Sequence, residues 1–342
     1  MKALYYLGDK KMELREVPKP EALQGEYCIR VKANGICGSD FEGYLGKTGR
    51  RTPPLIMGHE FSGVIEEAPE NGLYHVGQKV VIFPKPYCGE CEFCRQGMVN
   101  VCPAGICMGV LEEPGSMCEY VTIEEKYILP FEGIGFNEAA FTEPLAVAYR
   151  SVHKISDEQL ARADYILIIG AGTIGLMALA LLKYRGAKHV IVSDATDFRL
   201  EVARQLGAEA TLNPVKEDFR EGIERITQGR LCDIAIEAVG IEVTAKNSLD
   251  ALKIGGSAIW IGNAQKFVNV DMQKIVTSEL KIQGNYVYDL EGFADSLRLL
   301  SERKIDVSPL MTHVYPLEEG VRAFSDLEHN SDGTMLKVIL ES

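Results

Sequence analysis

Tyr165-Ile166-Leu167-Ile168-Ile169-Gly170-Ala171-Gly172-Thr173-Ile174-Gly175 is the stretch on which the reading of the fold turns. An apolar, β-branched run leads into G-x-G-x-x-G, and an apolar helical segment, 176–182, follows. Glycine triplets are common by chance, but a buried strand before one and a helix after it is the context a dinucleotide site needs. Gly170 would make the tight turn and Gly172 would let backbone approach a pyrophosphate. Gly175 would let helix and strand pack closely, with the helix N-terminus facing the anion. Thr173 and Ile174 lie in the same turn and count with the glycines as cofactor contacts. The same run is uncharged for 18 residues, 165–182, which raises a membrane-span question. The glycines inside it favour a strand, a turn and a buried helix.

Downstream, His189–Ser193 reads as the next strand and ends at Asp194. An acid about 20 residues past the glycines is placed to accept hydrogen bonds from adenosine ribose hydroxyls and to repel a 2′-phosphate, so NAD is expected over NADP. The plainer alternative is a generic βαβ crossover with a surface Asp. Arg199 is a candidate for stacking on adenine, with a solvated helix charge as its alternative. Further strands at 233–237 and 257–261 and a helix at 198–206 continue the alternation that builds parallel sheets. Ile261 and Gly262, at the end of the last of these strands, are further cofactor candidates. Two helices, 291–302 and 317–327, precede a final strand at 336–340, and pattern alone does not say which domain this tail joins.

Upstream the texture is different. Residues up to about 130 are dense in Gly and Pro, with short strand-like runs at 27–32, 63–65 and 79–82. The 342 residues suggest two domains at roughly 150 residues each, a β-rich one and a doubly wound α/β one. With 46% hydrophobic and 25% charged residues the composition is that of an ordinary globular protein. The net charge of −13 argues against nucleic acid or a membrane surface as the main partner. Met1 to Asp9 reaches charge too early for a signal peptide, so a cytoplasmic protein is expected.

Nine cysteines are many for such a chain, and Cys88, Cys91, Cys94 and Cys102 crowd into fifteen residues. Without a secretory signal, that spacing reads as metal binding rather than cross-linking. Four thiolates suit tetrahedral Zn²⁺ and leave no open position, so the site is expected to be structural. An iron–sulfur centre is the rival for any four-cysteine loop. Cys107 and Cys118 fall outside the spacing and read as ordinary thiols.

Three more pieces stand in the β-rich part: Gly35-Ile36-Cys37-Gly38-Ser39-Asp40, Gly58-His59-Glu60 and Glu143-Pro144. Singly, a Cys or His of this kind is more often core than ligand. In this order, with the four-cysteine loop and the dinucleotide motif, they resemble the zinc-dependent medium-chain dehydrogenase/reductase superfamily over nearly the whole chain. The resemblance implies a GroES-like catalytic domain (1–150 and 288–342) holding two zinc ions, and a Rossmann NAD-binding domain (151–287). It implies Cys37 and His59 as catalytic zinc ligands, with Glu143 in place of the cysteine of alcohol dehydrogenases and Glu60 as a fourth candidate. That glutamate form is typical of the branch with sorbitol and other polyol, threonine and butanediol dehydrogenases.

The same resemblance implies a secondary alcohol as small-molecule substrate, oxidation to the ketone, and a homodimer or homotetramer. Ser39 resembles the hydroxyl that passes the substrate proton outward. Two positions depart from the polyol pattern: Glu42 stands where a relay histidine is common, and Val287-Tyr288 where sorbitol dehydrogenases carry Arg-Tyr. Lys47, Arg50 and Arg51, between the two ligand motifs, would suit the phosphate of a polyol phosphate such as galactitol 1-phosphate. A solvated loop or a subunit contact is the plainer reading of those three. Two rival classes are a zinc-dependent nucleic-acid-binding module, which the charge opposes, and a catalytically silent dinucleotide-binding relative, which the intact ligand motifs oppose.

Overall fold

The computed structural model describes residues 1–342 and divides into two compact units, Met1–Ala146 with Asp289–Ser331 and Met335–Ser342, and Val147–Tyr288 with Asp332–Thr334. The second unit is built on a six-stranded sheet in the order Ala210–Leu212, His189–Ser193, Tyr165–Ile169, Cys232–Glu237, Leu252–Trp260, Lys281–Gly284. Every pairing in it is parallel. Parallel neighbours need crossovers, and helices Thr173–Tyr184, Asp197–Gln205, Phe219–Thr227, Glu242–Asp250 and Met272–Thr277 supply them. Tyr165–Ile169 is buried at all five positions, which explains its unbroken apolar sequence. Its core includes Leu167, Ile191, Leu212, Ile223, Ala235 and Leu249.

Chain order runs outward in one direction from Tyr165–Ile169 and then in the other from Cys232–Glu237. A crevice therefore opens beyond the carboxyl ends of these two strands, where ligands bind in open α/β sheets. The 165–182 run is a strand and a twelve-residue helix, Thr173–Tyr184, and no helix is long and apolar enough to cross a membrane.

The first unit carries a sheet ordered Met311–Pro316, Lys337–Glu341, Glu26–Gly35, Glu60–Glu67, Lys79–Ile82, Ile128–Pro130, with Tyr120–Glu124 also on Glu26–Gly35. Its pairings are antiparallel except the one between Met311–Pro316 and Lys337–Glu341. A smaller sheet joins Met12–Glu16, Lys2–Tyr6 and Leu55–Ile56. The tail belongs here: Ile339 pairs with Gly35, and Leu340 with Asn34. The helix expected over 317–327 starts as a 3₁₀ turn, Leu317–Glu319, and continues as Gly320–Glu328. This register brings the last strand beside the segment that leads to Cys37, which positions the site described next.

Candidate active site

Strand Glu26–Gly35 ends two residues before Cys37, which caps the short helix Gly38–Tyr44. Gly35 lies opposite Glu60 in the neighbouring strand. A Cβ on Gly35 would come within 2.2 Å of Glu60 Oε2, so only glycine leaves room for that carboxylate. Strand pairing thus delivers Cys37, His59 and Glu60 to one place, and a ligand atom from each lies within 4.8 Å of the other two. Glu143, second residue of helix Thr142–Val152, is buried. It is not one of the three mutually close groups, but its charge acts on both Cys107 and Lys337 of this neighbourhood.

Around the three lies a shell of Asp40, Arg51, Ser39 and Lys337, in which the sequence had given no role to Asp40 or Lys337. Asp40 is fully buried, with Oδ1 3.7 Å from His59 Nδ1 and 2.8 Å from Arg51 Nη2. Burial alone would lower His59, but the Asp40 and Cys37 charges outweigh it and hold the imidazole well above its ordinary value. The donors gathered here, one sulfur, one imidazole and carboxylate oxygen, are those of a mixed-ligand zinc site. His59 Nδ1 is buried with no hydrogen-bond partner. Lys337 Nζ lies 2.6 Å from Glu60 Oε2 and donates to Ile36 O at 3.2 Å. Ser39, exposed, donates from Oγ to Cys37 Sγ at 3.3 Å and accepts from Arg51 Nη2 at 3.2 Å.

The loop cations divide differently from the sequence reading. Lys47 and Arg50 are exposed, as a solvated loop would have them. Arg51 is not free to take a substrate phosphate: it is buried, and its guanidinium is committed to Asp40, Ser39 and the carbonyl of Arg50. Glu42 is half-buried, and Tyr288 is fully buried. Cys107 lies in neither metal cluster, although it is near the first one. Burial pushes it up to about 11, and its electrostatic neighbours are His59, Glu143, Asp40 and Lys85.

The four cysteines form the second cluster, with all four sulfur atoms within 4.8 Å of one another. Cys88 Sγ is 3.6 Å from Cys102 Sγ and 3.9 Å from Cys94 Sγ. Zinc–sulfur bonds of about 2.3 Å give tetrahedron edges of about 3.8 Å, so the loop is shaped for a single ion. All nine cysteines are free. Backbone N–H groups of Cys88 and Ala104 pull Cys102 down to about 6, and desolvation pushes Cys94 up to about 12. That backbone is already arranged to stabilise thiolate.

The glycine turn in the other unit passes three geometric tests. Gly170 has φ +99°, a conformation L side chains rarely adopt. A Cβ on Gly175 would meet Gly170 O at 1.8 Å, whereas a Cβ on Gly172, at the helix N-cap, would meet nothing within 4 Å. The turn is therefore tight behind and open in front, where a pyrophosphate would lie. Thr173 and Ile174, on the same turn, are half-buried. Asp194 accepts from Ala171 N and Thr196 N, each at 2.8 Å, which fixes its carboxylate beside the turn. Ile261 N and Gly262 N both donate to Glu237 O, at 2.8 and 3.2 Å. Arg199 is half-buried and its Nε donates to Gly333 O at 3.4 Å.

Comparisons with known proteins agree with this chemistry. Residues 23–133 match the alcohol dehydrogenase GroES-like domain, and residues 173–302 the zinc-binding dehydrogenase family. D-Arabitol-phosphate dehydrogenase of Enterococcus avium is 32% identical over 98% of this chain and 95% of that protein. Sorbitol dehydrogenase of Bacillus subtilis is 30% identical over 93% and 91%. L-Threonine 3-dehydrogenase of Alteromonas mediterranea is 29% identical over 98% and 97%.

Among solved structures, galactitol-1-phosphate dehydrogenase of Escherichia coli superimposes with TM-score 0.91 at 26% identity, over 100% of both chains. A zinc-binding dehydrogenase from Sinorhizobium meliloti 1021, bound to NADP, gives 0.90 at 26%, covering 100% of this chain and 99% of that one. A protein described as a short chain alcohol dehydrogenase from E. coli CFT073, complexed with NADH, gives 0.91 at 28%, with the same coverage. This chain belongs to the zinc-binding medium-chain alcohol dehydrogenase family, as a dinucleotide-dependent enzyme with a four-cysteine site and a separate Cys/His/Glu site.

Proposed function

We propose that this enzyme interconverts a secondary alcohol, of the polyol or polyol phosphate class, with its ketone or ketose, using NAD. The observation that carries the reading is the mixed-ligand cluster of Cys37, His59 and Glu60, alongside a separate four-thiol site. Cys37, His59 and either Glu60 or Glu143 would hold the catalytic zinc, and Cys88, Cys91, Cys94 and Cys102 the structural one. When bound, zinc supplies Lewis-acid polarisation of the alcohol oxygen, as it lowers the pKa of water from 15.7 to about 7, and NAD supplies the hydride acceptor.

The chain's own residues do the rest. Asp40 faces His59 and keeps the nest negative, and Arg51 holds Asp40 in place. Lys337 offsets the charge of Glu60, so that carboxylate can share itself between the lysine and a cation. Ser39 Oγ bridges the buried site and solvent, in position to hand the substrate proton outward. Gly170, Gly172, Thr173, Ile174 and Gly175 would cradle the pyrophosphate, with Asp194 on the ribose and Arg199, Ile261 and Gly262 lining the remainder.

NAD is favoured over NADP in this reading: two backbone N–H groups hold Asp194 beside the glycine turn, where its charge would repel a 2′-phosphate. The domain roles follow: a catalytic domain of roughly residues 1–150 and 288–342 and an NAD-binding domain between them. A homo-oligomer is also proposed. Supporting it, the edge strand Lys281–Gly284 is exposed at all four residues, and Ile254, Met272 and Val276 in the same unit are 78%, 70% and 66% exposed. An open edge of this kind pairs readily with its two-fold copy. Nine free thiols favour the reducing cytoplasm.

The test is a panel of polyols, polyol phosphates, diols and threonine with NAD and NADP, followed at the nicotinamide absorbance band. Turnover of polyols or their phosphates with NAD supports the reading. Turnover confined to threonine or butanediol replaces it with the neighbouring branch.

A further inference from the structure

Asp332-Gly333-Thr334 belongs to the second compact unit, although the chain before and after it, Asp289–Ser331 and Met335–Ser342, belongs to the first. The three residues form a turn between helix Gly320–Glu328 and the last strand, Lys337–Glu341. Asn330 closes the base of this turn: its Nδ2 donates to Met335 O at 3.2 Å, and its Oδ1 accepts from Met335 N at 3.1 Å. At the tip, Gly333 is buried and has φ +69°. That is left-handed backbone, which favours glycine.

The tip rests on the loop that follows strand His189–Ser193. A Cβ on Gly333 would meet Thr196 Cγ2 at 2.5 Å, with Thr196 Oγ1 and Cβ at 3.2 and 3.3 Å. Glycine is therefore required twice, by its backbone conformation and by the closeness of the threonine. Thr196 caps the start of helix Asp197–Gln205 and donates its N–H to Asp194 Oδ1 at 2.8 Å. Arg199, three residues on, donates from Nε to Gly333 O at 3.4 Å, a long hydrogen bond. The turn thus touches the loop at two places, the residue that holds the Asp194 carboxylate and the arginine near it.

We infer that Gly333 is a positioning residue for the dinucleotide: its turn backs Thr196, and Thr196 in turn holds the Asp194 carboxylate at the adenosine ribose. This rests on the proposed placement of Asp194 on the ribose and deepens it. A carboxylate tells a ribose hydroxyl from a 2′-phosphate only while its supports keep it in place, since a loose one swings away from the added charge. The Gly333 carbonyl also engages Arg199, an arginine of the kind that accommodates a 2′-phosphate when it is free. Discrimination between NAD and NADP therefore depends on a residue 139 positions beyond the acid that carries it, by the numbering 333 and 194.

The experiment titrates NADH and NADPH by their fluorescence, with melting temperature recorded alongside, so no turnover is involved. It compares wild type, Gly333→Ala, Gly333→Ala combined with Thr196→Ser, and Asp194→Ala. Gly333→Ala should weaken NADH by about 10- to 100-fold, the range of one charge-assisted hydrogen bond, and NADPH much less, so the ratio of the two dissociation constants narrows. Thr196→Ser removes the methyl that the new Cβ strikes and should return part of the ratio. No return would mean that backbone strain at Gly333, and not contact with Thr196, is felt, which overturns the proposed route. An unchanged ratio in Gly333→Ala overturns it as well, because a turn that only braces the tail lowers the melting temperature and leaves cofactor discrimination alone.

Asn330→Ala decides the matter if Gly333→Ala does not fold, because it loosens the base of the turn without adding an atom at the tip. It should narrow the NADH-to-NADPH ratio in the same direction, and an unchanged ratio there removes the role of Gly333. Asp194→Ala separates that role from the reading it rests on. If the ratio moves in Asp194→Ala but in neither turn variant, the ribose assignment stands and Gly333 is only structural. If it does not move in Asp194→Ala, the ribose assignment fails and the role of Gly333 fails with it.

Discussion

Lys337 and Glu60 are 277 residues apart in sequence and form a 2.6 Å ion pair with both side chains all but inaccessible to solvent. The contact fastens the last strand to the site. Breaking a buried pair by removing one partner strands the other charge, at a cost of about 3–5 kcal/mol. Lys337→Met should therefore lower the unfolding free energy by about that amount in urea titrations. Adding Glu60→Gln should restore part of it, because no bare charge then stays behind. If the double variant is no more stable than the single one, the pair is not what holds the strand.

Arg51 contributes through Asp40 rather than through substrate. Removing the guanidinium loosens the carboxylate beside His59, and outer partners of metal ligands are typically worth about 10–100-fold in metal affinity or activity. Arg51→Met is expected to lose that factor equally on charged and neutral alcohols, measured as kcat/KM. A loss confined to phosphorylated substrates would return Arg51 to the role its sequence position suggested.

The glycine turn offers two substitutions with opposite expectations. In Gly175→Ala the new methyl would collide with Gly170 O at 1.8 Å, so the variant should be destabilised or fail to fold. Gly172→Ala meets nothing in the protein, so it should fold normally yet bind dinucleotide poorly. Circular dichroism melting alongside titration of NADH fluorescence separates the two. Normal NADH affinity in Gly172→Ala would place the pyrophosphate elsewhere.

Asp194→Ala should weaken NAD binding by about 1–3 kcal/mol through lost hydrogen bonds to the ribose. Discrimination against NADP should narrow as well, because the repelling charge disappears. The check is the ratio of kcat/KM for the two cofactors. An unchanged ratio would contradict the ribose assignment.

What the sequence disclosed was what is local. Gly170 to Gly175 and Cys88 to Cys102 each encode a site within one turn or loop, so spacing alone exposes them. Cys37, His59 and Glu60 come together only through the pairing of Gly35 with Glu60, and it took four motifs in order to suggest them. Asp40 sat in a quoted motif without a role, because its partner His59 is reached through tertiary packing. Lys337 and Lys85 gave no local signal: a lysine is ordinarily exposed, and only the fold reveals that these two are buried. Edge strand Lys281–Gly284 escaped because Lys-Ile-Gln-Gly has no apolar run, and Ala210–Leu212 because three residues are too few for periodicity.

The central claim is that Cys37, His59 and a glutamate hold a catalytic zinc distinct from the four-cysteine site. Zinc content by plasma mass spectrometry, with NADH formation on the best polyol of the panel, tests it directly in wild type and Cys37→Ser. Wild type should carry zinc at both clusters, and Cys37→Ser should keep only the four-cysteine ion, stay folded and lose turnover. Full zinc content and undiminished turnover in Cys37→Ser would contradict the account.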